Sequence, residues 1–178
     1  MIDTRIPAWI DDSRRYYTAI EGDSADPVLV YSVPDGQDEV SPESPGTLCL
    51  RLEPRSRRSP RMRVLDGDGA EHGIIDREGP IPWLSYAMYR GDSRLWTLSV
   101  RSIFRHRHEL TLAHGDPWRF ATPFFTRYTV IGSVRGATRL AGAVGPSVHY
   151  WLLEIEPGWD AFLVLAAVAF LHRQWSHS

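Results

Sequence analysis

Residues 161–171 read Ala-Phe-Leu-Val-Leu-Ala-Ala-Val-Ala-Phe-Leu, with no polar side chain among them. The alanines favour a helix over a strand, and Pro157-Gly158 marks a break just before it. Asp160 is placed to cap the N-terminus, while His172 and Arg173 fall in the last turn, where cations are favoured. From residue 159 to 173 such a helix is about 22 Å long. A spanning helix needs about 20 apolar residues, whereas a run of roughly 10–14 suits a buried core helix better than a tail anchor or an amphitropic insertion. A surface helix carries one apolar stripe; this one is apolar all round and needs protein on every side. Burying its two Phe, three Leu and two Val is worth about 10–20 kcal/mol as an upper bound. The rest of the chain must therefore wrap it.

That remainder alternates. In Leu95-Trp96-Thr97-Leu98-Ser99-Val100-Arg101, Trp96, Leu98 and Val100 share one face. Glu109-Leu110-Thr111-Leu112 does the same with its leucines, and residues 149–155 place Trp151, Leu153 and Ile155 together with Glu154 opposite. Period-two patterns of this kind are half-buried strands. Further strands are expected over 16–20, 28–33, 47–53, 61–65, 72–76, 83–89, 118–121, 128–134 and 138–143. Turn signals separate them at Asp66-Gly67-Asp68-Gly69, Arg90-Gly91-Asp92, His114-Gly115-Asp116-Pro117 and Arg135-Gly136. The economical arrangement is a closed antiparallel β-barrel of about twelve strands filled by the C-terminal helix, which also removes exposed sheet edges.

The 178 residues fit a single domain that can bury a core without staples. Residues 34–45 are rich in Pro, Asp, Glu and Ser, and residues 55–63 in Arg and Ser. Together they give a flexible acidic, then basic, insertion at about 34–61, which interrupts the barrel rather than dividing it. Net charge is −2, so no global pull toward nucleic acid or membrane exists. All 20 basic residues are arginine. Cys49 is the one cysteine, which excludes an internal disulfide framework and argues against a thiolate zinc site. Residues 1–10 include Asp3 and Pro7 and lack the apolar core of a signal peptide, so a cytoplasmic location is expected.

Two segments carry a family resemblance. Val64-Leu65-Asp66-Gly67-Asp68-Gly69, followed by His72-Gly73-Ile74-Ile75, resembles the D-x-x-G-x-x-x-G-x-I hairpin of the tubby-like superfamily. That superfamily includes the phospholipid scramblases and the LURP-one-related proteins. Residues 159–169, from Trp159-Asp160 onward, resemble its terminal D-x-x-L-x-L-A helix. The resemblance covers roughly 61–175 and implies a twelve-stranded barrel around a central hydrophobic helix. Tubby proteins bind phosphoinositides through a basic pocket, which has no residue-by-residue match in this chain. The cysteine-rich stretch of the scramblases is likewise missing, and their calcium pattern is not evident.

Among candidate functional residues, Arg55, Arg57, Arg58, Arg61 and Arg63 stand first, with Arg51 just upstream. Clustered arginines bind lipid phosphate or a nucleic-acid backbone. The plainer account is a solvated loop neutralised by Asp35, Asp38, Glu39 and Glu43. No aromatic residues interleave the cluster, which lowers the single-stranded nucleic-acid reading. His106, His108 and His114 suggest a metal, but no carboxylate follows at a suitable spacing and Arg105 and Arg107 crowd them with positive charge. Asp66-Gly67-Asp68-Gly69 begins like a calcium loop, yet Ala70 and Arg77 stand where ligands are needed, so a tight turn is expected. Glu154, Glu156 and Asp160 could pair for acid–base work, but a solvated strand face beside a helix cap suffices.

No nucleophile elbow, phosphate loop, dinucleotide fingerprint or paired cysteine motif occurs, and no cofactor or metal is expected. The expected function is a non-catalytic tubby-like binding module that meets anionic phospholipid headgroups at a membrane surface through the arginines. The alternative is a protein-interaction or scaffold domain anchored by exposed tryptophans among Trp9, Trp83 and Trp118. The third is an enzyme with a deep polar site at the barrel mouth. Nucleic-acid binding and a membrane-spanning segment are not expected.

Overall fold

The structure is a computed structural model and describes residues 15–20, 26–33, 46–56, 59–81, 85–102, 107–113, 118–121, 128–133, 136–141, 144–145, 148–154 and 161–175. Side chains are described for 15–20, 26–33, 46–56, 59–81, 85–100, 109–113 and 161–174. Strands follow one another along the chain as β1 (Arg15–Ile20), β2 (Val28–Ser32), β3 (Leu48–Pro54), β4 (Met62–Asp66), β5 (Glu71–Arg77), β6 (Ser85–Arg90) and β7 (Ser93–Ser102). They continue as β8 (Arg107–Leu112), β9 (Trp118–Ala121), β10 (Tyr128–Ser133), β11 (Gly136–Ala141), β12 (Val144–Gly145) and β13 (Val148–Glu154). One helix, α1 (Ala161–Trp175), ends the described chain.

The protein is thus mainly β, an antiparallel sheet plus one C-terminal helix. Strands β1 to β11 pair in chain order, and β13 pairs with β11. β13 also pairs antiparallel with β1, from Arg15↔Glu154 to Ala19↔Tyr150, and the two-residue β12 pairs only with β13. The expected strand positions are met closely, Trp118–Ala121 to the residue. β3 meets the strand expected over 47–53 and pairs with both β2 and β4, so the expected insertion at about 34–61 is not continuous. Alternation at Leu50 and Leu52, both fully buried, makes β3 a core strand, and Cys49 is buried beside them. Residues 34–45 lie outside the described residues.

Among the residues whose side chains are described, period-two alternation buries one side of the strands around α1. Val28, Val30, Leu52, Val64, Ile75, Met88 and Leu110 have no exposed surface, and Trp96 and Leu98 have 1%. The helix is buried along residues 164–169 at 0% exposure, which is what an all-apolar helix requires. It packs against β1, β2, β3 and β7, while Phe170 meets the Tyr86 ring of β6 edge-on at 4.7 Å. Among the described residues, no helix is long and apolar enough to cross a membrane.

The register defines two ends. α1 starts at the end where the β4–β5 and β6–β7 turns lie: Phe162 stands 5.6 Å from the His72 ring of β5. It finishes at the opposite end, where His172 shares a 2.7 Å hydrogen bond with Thr18 of β1 and Arg173 donates to the Asp26 carbonyl at 2.7 Å. His172 and Arg173 fall in the last turn, as expected, and His172 is 1% exposed and tied to a buried threonine. Asp160, the expected cap, lies outside the described residues.

Candidate functional site

The arginine cluster occupies the hairpin between β3 and β4, at the end where α1 finishes. Pro54↔Met62 is the last ladder pair. Pro54 has no N–H to extend a ladder, so the chain turns there. Arg55 N–H donates to the Arg61 carbonyl at 3.0 Å, Ser59 N–H to the Ser56 carbonyl at 3.1 Å, and Arg61 N–H to Ser59 Oγ at 3.1 Å. A serine hydroxyl is a usual device for closing such a turn. Arg55 is exposed at the tip. Arg57 and Arg58 lie outside the described residues.

The remaining arginines meet carboxylates. Arg61 Nε donates to Asp76 Oδ2 of β5 at 2.6 Å, and Arg63 Nε to Glu71 Oε2 of β5 at 2.8 Å. Arg51 pairs with Glu53 along β3. Arg61 and Arg63 thus meet carboxylates across the ladder, while Asp35, Asp38, Glu39 and Glu43 lie outside the described residues. Arg61 keeps 53% and Arg63 41% of its side chain exposed. Ion pairs this exposed are worth about 0–1 kcal/mol, so they orient the guanidinium groups without withdrawing them from an anionic ligand.

Beside the hairpin, Glu78 accepts hydrogen bonds from the Tyr89 hydroxyl at 2.6 Å and from Arg94 at 3.0 Å. Partial burial works to raise its carboxyl, but the bonds from Tyr89 and Arg94 outweigh it and hold the group below its ordinary value. The bond to Glu78, with burial, pushes the Tyr89 hydroxyl up.

A second polar cluster sits at the other end, and sequence reasoning did not find it. Asp66 is 7% exposed. Its Oδ1 accepts the backbone N–H groups of Asp68 and Ala70 at 3.0 and 2.8 Å, and its Oδ2 accepts from His72 Nε2 at 2.8 Å. Burial raises this carboxyl, while the His72 bond, the Ala70 bond and the His72 charge lower it further, leaving it below its ordinary value. Arg90 Nε donates to the His72 carbonyl at 3.0 Å, and its guanidinium lies 5.8 Å from the centre of the Phe162 ring. A discernible signal was available: Asp66 is in phase with Met62 and Val64, and Arg90 with Tyr86 and Met88, so alternation points both toward the helix.

Both Asp66 oxygens are committed to the turn and to His72, which explains why this segment is a hairpin and not a calcium loop. Gly69 has φ of +92°, a conformation that favours glycine. A Cβ on Gly73 would stand 2.7 Å from the Tyr89 carbonyl oxygen. Asp66, Gly69, Gly73 and the fully buried Ile75 therefore each have a folding role. Among the described residues, no group of three or more His, Cys, Asp or Glu is arranged to hold a metal. His106, His114, Glu156, Trp9 and Trp83 lie outside the described residues, and for His108, Trp118 and Glu154 only the backbone is described.

These features define a class by architecture: an antiparallel sheet packed on a buried C-terminal helix, with basic side chains at one end. No family model matches the chain, and no characterised protein matches it in sequence. It is similar in fold to the X-ray structure of a protein from Arabidopsis thaliana, AT5G01750, with a TM-score of 0.58. The likeness covers 89% of this chain and 90% of that one at 14% sequence identity, so it bears on the fold alone.

Proposed function

We propose that this chain is a non-catalytic, tubby-like binding module in which β1–β11 and β13 close as a twelve-stranded barrel around α1. In this reading it meets anionic phospholipid headgroups at the cytoplasmic surface of a membrane through the β3–β4 hairpin. Closure is supported by the pairing of β13 with both β1 and β11. The tubby-like assignment is supported by the folding roles of Asp66, Gly69, Gly73 and Ile75, the positions that carry the resemblance.

The observation that carries the headgroup reading is the hairpin itself. Its tip reads Arg55-Ser56-Arg57-Arg58-Ser59-Pro60-Arg61, with no acidic residue and with Arg55 exposed. Guanidinium and hydroxyl donors without competing acids suit phosphate. The helix is not the membrane contact, because its apolar surface is spent on the sheet.

Co-sedimentation with phosphatidylcholine vesicles, with and without phosphatidylserine, tests this. The protein is expected to sediment only with the anionic vesicles. Replacing Arg55, Arg57, Arg58, Arg61 and Arg63 by Ser should abolish binding. Equal binding to neutral vesicles, or none to either, overturns the reading. In the latter case the scaffold alternative takes its place, though Trp96 is buried and cannot serve as its anchor.

A further inference from the structure

The serines of this chain differ in what a modifying enzyme can reach. Among the described residues, Ser32, Ser85, Ser93, Ser99, Ser102 and Ser133 lie in strands β2, β6, β7 and β10. Their backbone is committed to the sheet, so their hydroxyls cannot be drawn into an enzyme groove without breaking a ladder. Ser56 and Ser59 are the described serines outside a strand, and both sit in the β3–β4 hairpin. Beyond the last ladder pair, Pro54↔Met62, that hairpin is held by turn contacts alone.

Within the hairpin, Ser59 has the more specific setting. Its N–H donates to the Ser56 carbonyl at 3.1 Å, and its Oγ accepts the Arg61 N–H at 3.1 Å. As an acceptor there, the hydroxyl keeps its own O–H to give away. Pro60 follows directly and biases Ser59 toward extended backbone, the form in which a substrate segment lies in a kinase groove. Arg55, Pro60 and Arg61 around it are exposed. By sequence, four arginines and no acid lie between residues 55 and 61, which suits an enzyme whose peptide groove is acidic.

A phosphate on Ser59 would begin at an oxygen that already faces a backbone N–H. It would stand two residues from Arg61, whose guanidinium is held by Asp76. Phosphoserine carries about −1.5 to −2 charges at neutral pH, and it gains charge-assisted bonds where arginines surround it. Against the four arginines of the tip, that addition removes up to about half of the positive charge. Basic segments that hold an anionic membrane by charge are released by such a change.

We propose that Ser59 is a phosphorylation site, and that its phosphate switches off the contact between the arginine hairpin and an anionic membrane. The inference rests on the headgroup reading above and supplies its regulation. The enzyme is a nucleoside-triphosphate-dependent serine kinase that reads flanking arginines. Ser59 Oγ attacks the γ-phosphorus of the triphosphate, an Oγ–P bond forms and the P–O bond to the β-phosphate breaks. The hydroxyl proton passes to the base of the kinase, and the nucleoside diphosphate leaves.

The test has two arms on the full chain. In the first, a purified serine kinase directed to arginine–serine dipeptides is supplied with adenosine triphosphate, and fragment mass spectrometry locates the phosphate. It should fall on Ser59, and S59A should lose that uptake. In the second, the chain phosphorylated at Ser59 by an expanded genetic code is compared with the unmodified chain, both first shown to share one denaturant midpoint. It should bind phosphatidylserine-containing vesicles roughly tenfold more weakly at low salt, with the difference shrinking at high salt. Alkaline phosphatase should restore the lost binding. If the phosphate falls on Ser56 or elsewhere and not on Ser59, the site is overturned. If the chain phosphorylated at Ser59 binds as tightly as the unmodified one, the switch is overturned while the headgroup reading stands. If the unmodified chain ignores the vesicles, the headgroup reading falls and the switch falls with it.

Discussion

The two ends of the molecule use similar side chains for opposite purposes. Where α1 starts, Asp66, His72 and Arg90 turn toward the helix and are spent on one another, on the turn backbone and on Phe162. Where α1 finishes, Arg55 and Arg61 face solvent, and Ile81 joins them there. The His72–Asp66 contact at the first end is part of a packed core margin, whereas the Arg61–Asp76 contact at the second is an exposed pair of small energetic weight. A charged group therefore reads as structural or functional by what surrounds it and not by its type.

The largest way to break this contrast is through the helix. Phe170→Ala should cost about 3–5 kcal/mol in denaturant unfolding, since the ring is 1% exposed and packed edge-on against Tyr86. Asp66→Ala comes next, at about 2–4 kcal/mol, because it leaves the Asp68 and Ala70 N–H groups and His72 without their acceptor. A variant at the tip, R55S/R57S/R58S, should move stability by no more than about 0.5 kcal/mol while removing vesicle binding. If Asp66→Ala leaves the unfolding midpoint in place, the start of the helix is not the structural end, and the contrast fails.

Acid sharpens the same comparison. Asp66 and Glu78 lie at opposite ends, and both carboxyls are held below their ordinary values of 3.8 and 4.5. Depressed folded values mean that each contributes stability fully above its ordinary value and loses it as pH falls through the folded one. Unfolding midpoints measured from about pH 6 down to pH 3 should fall, and both Asp66→Asn and Glu78→Gln should flatten the decline. Asp66→Asn should flatten it more, because the Asp66 side chain is 10% exposed and that of Glu78 is 25%. Equal slopes for the two variants would remove the distinction between a buried and an exposed polar cluster.

Much of this fold was legible in the chain because burial imposes a period. The apolar run at 161–171 demanded a surrounding sheet, and alternation placed Trp96, Leu98 and Leu110 on its inner face. What alternation cannot give is the partner across a ladder. Arg63 meets Glu71 at a point where the β4–β5 register shifts between Val64 and Leu65, and a sequence offers no sign of that bulge. The pairs Arg61–Asp76 and Arg63–Glu71 were consequently not expected. β12 escaped notice because two residues, Val144–Gly145, are too few to show a period. His172 falls in the last turn as expected, but its buried hydrogen bond to Thr18 joins residues far apart in the chain and has no local sign. Asp66 was read as a turn former, which it is, but its second oxygen reaches His72 through the hairpin, a contact set by the turn geometry.

The smallest expected effect probes whether Arg61 serves the fold or the surface. Asp76→Asn removes the charge that holds Arg61 and one negative charge from the end that carries Ile81. An exposed pair of this kind is worth at most about 1 kcal/mol, so stability should change by less than that. Binding to phosphatidylserine vesicles should tighten by roughly two- to fivefold, with the gain disappearing at high salt, since an unpaired arginine and a less negative surface both favour anions. Glu71→Gln offers the contrast within the hairpin, because Arg63 lies two residues further along β4 from the tip. Its gain should be smaller than that of Asp76→Asn. If Glu71→Gln gives the larger gain, the anion-facing surface runs along the outer side of β4 and not across the end of the sheet.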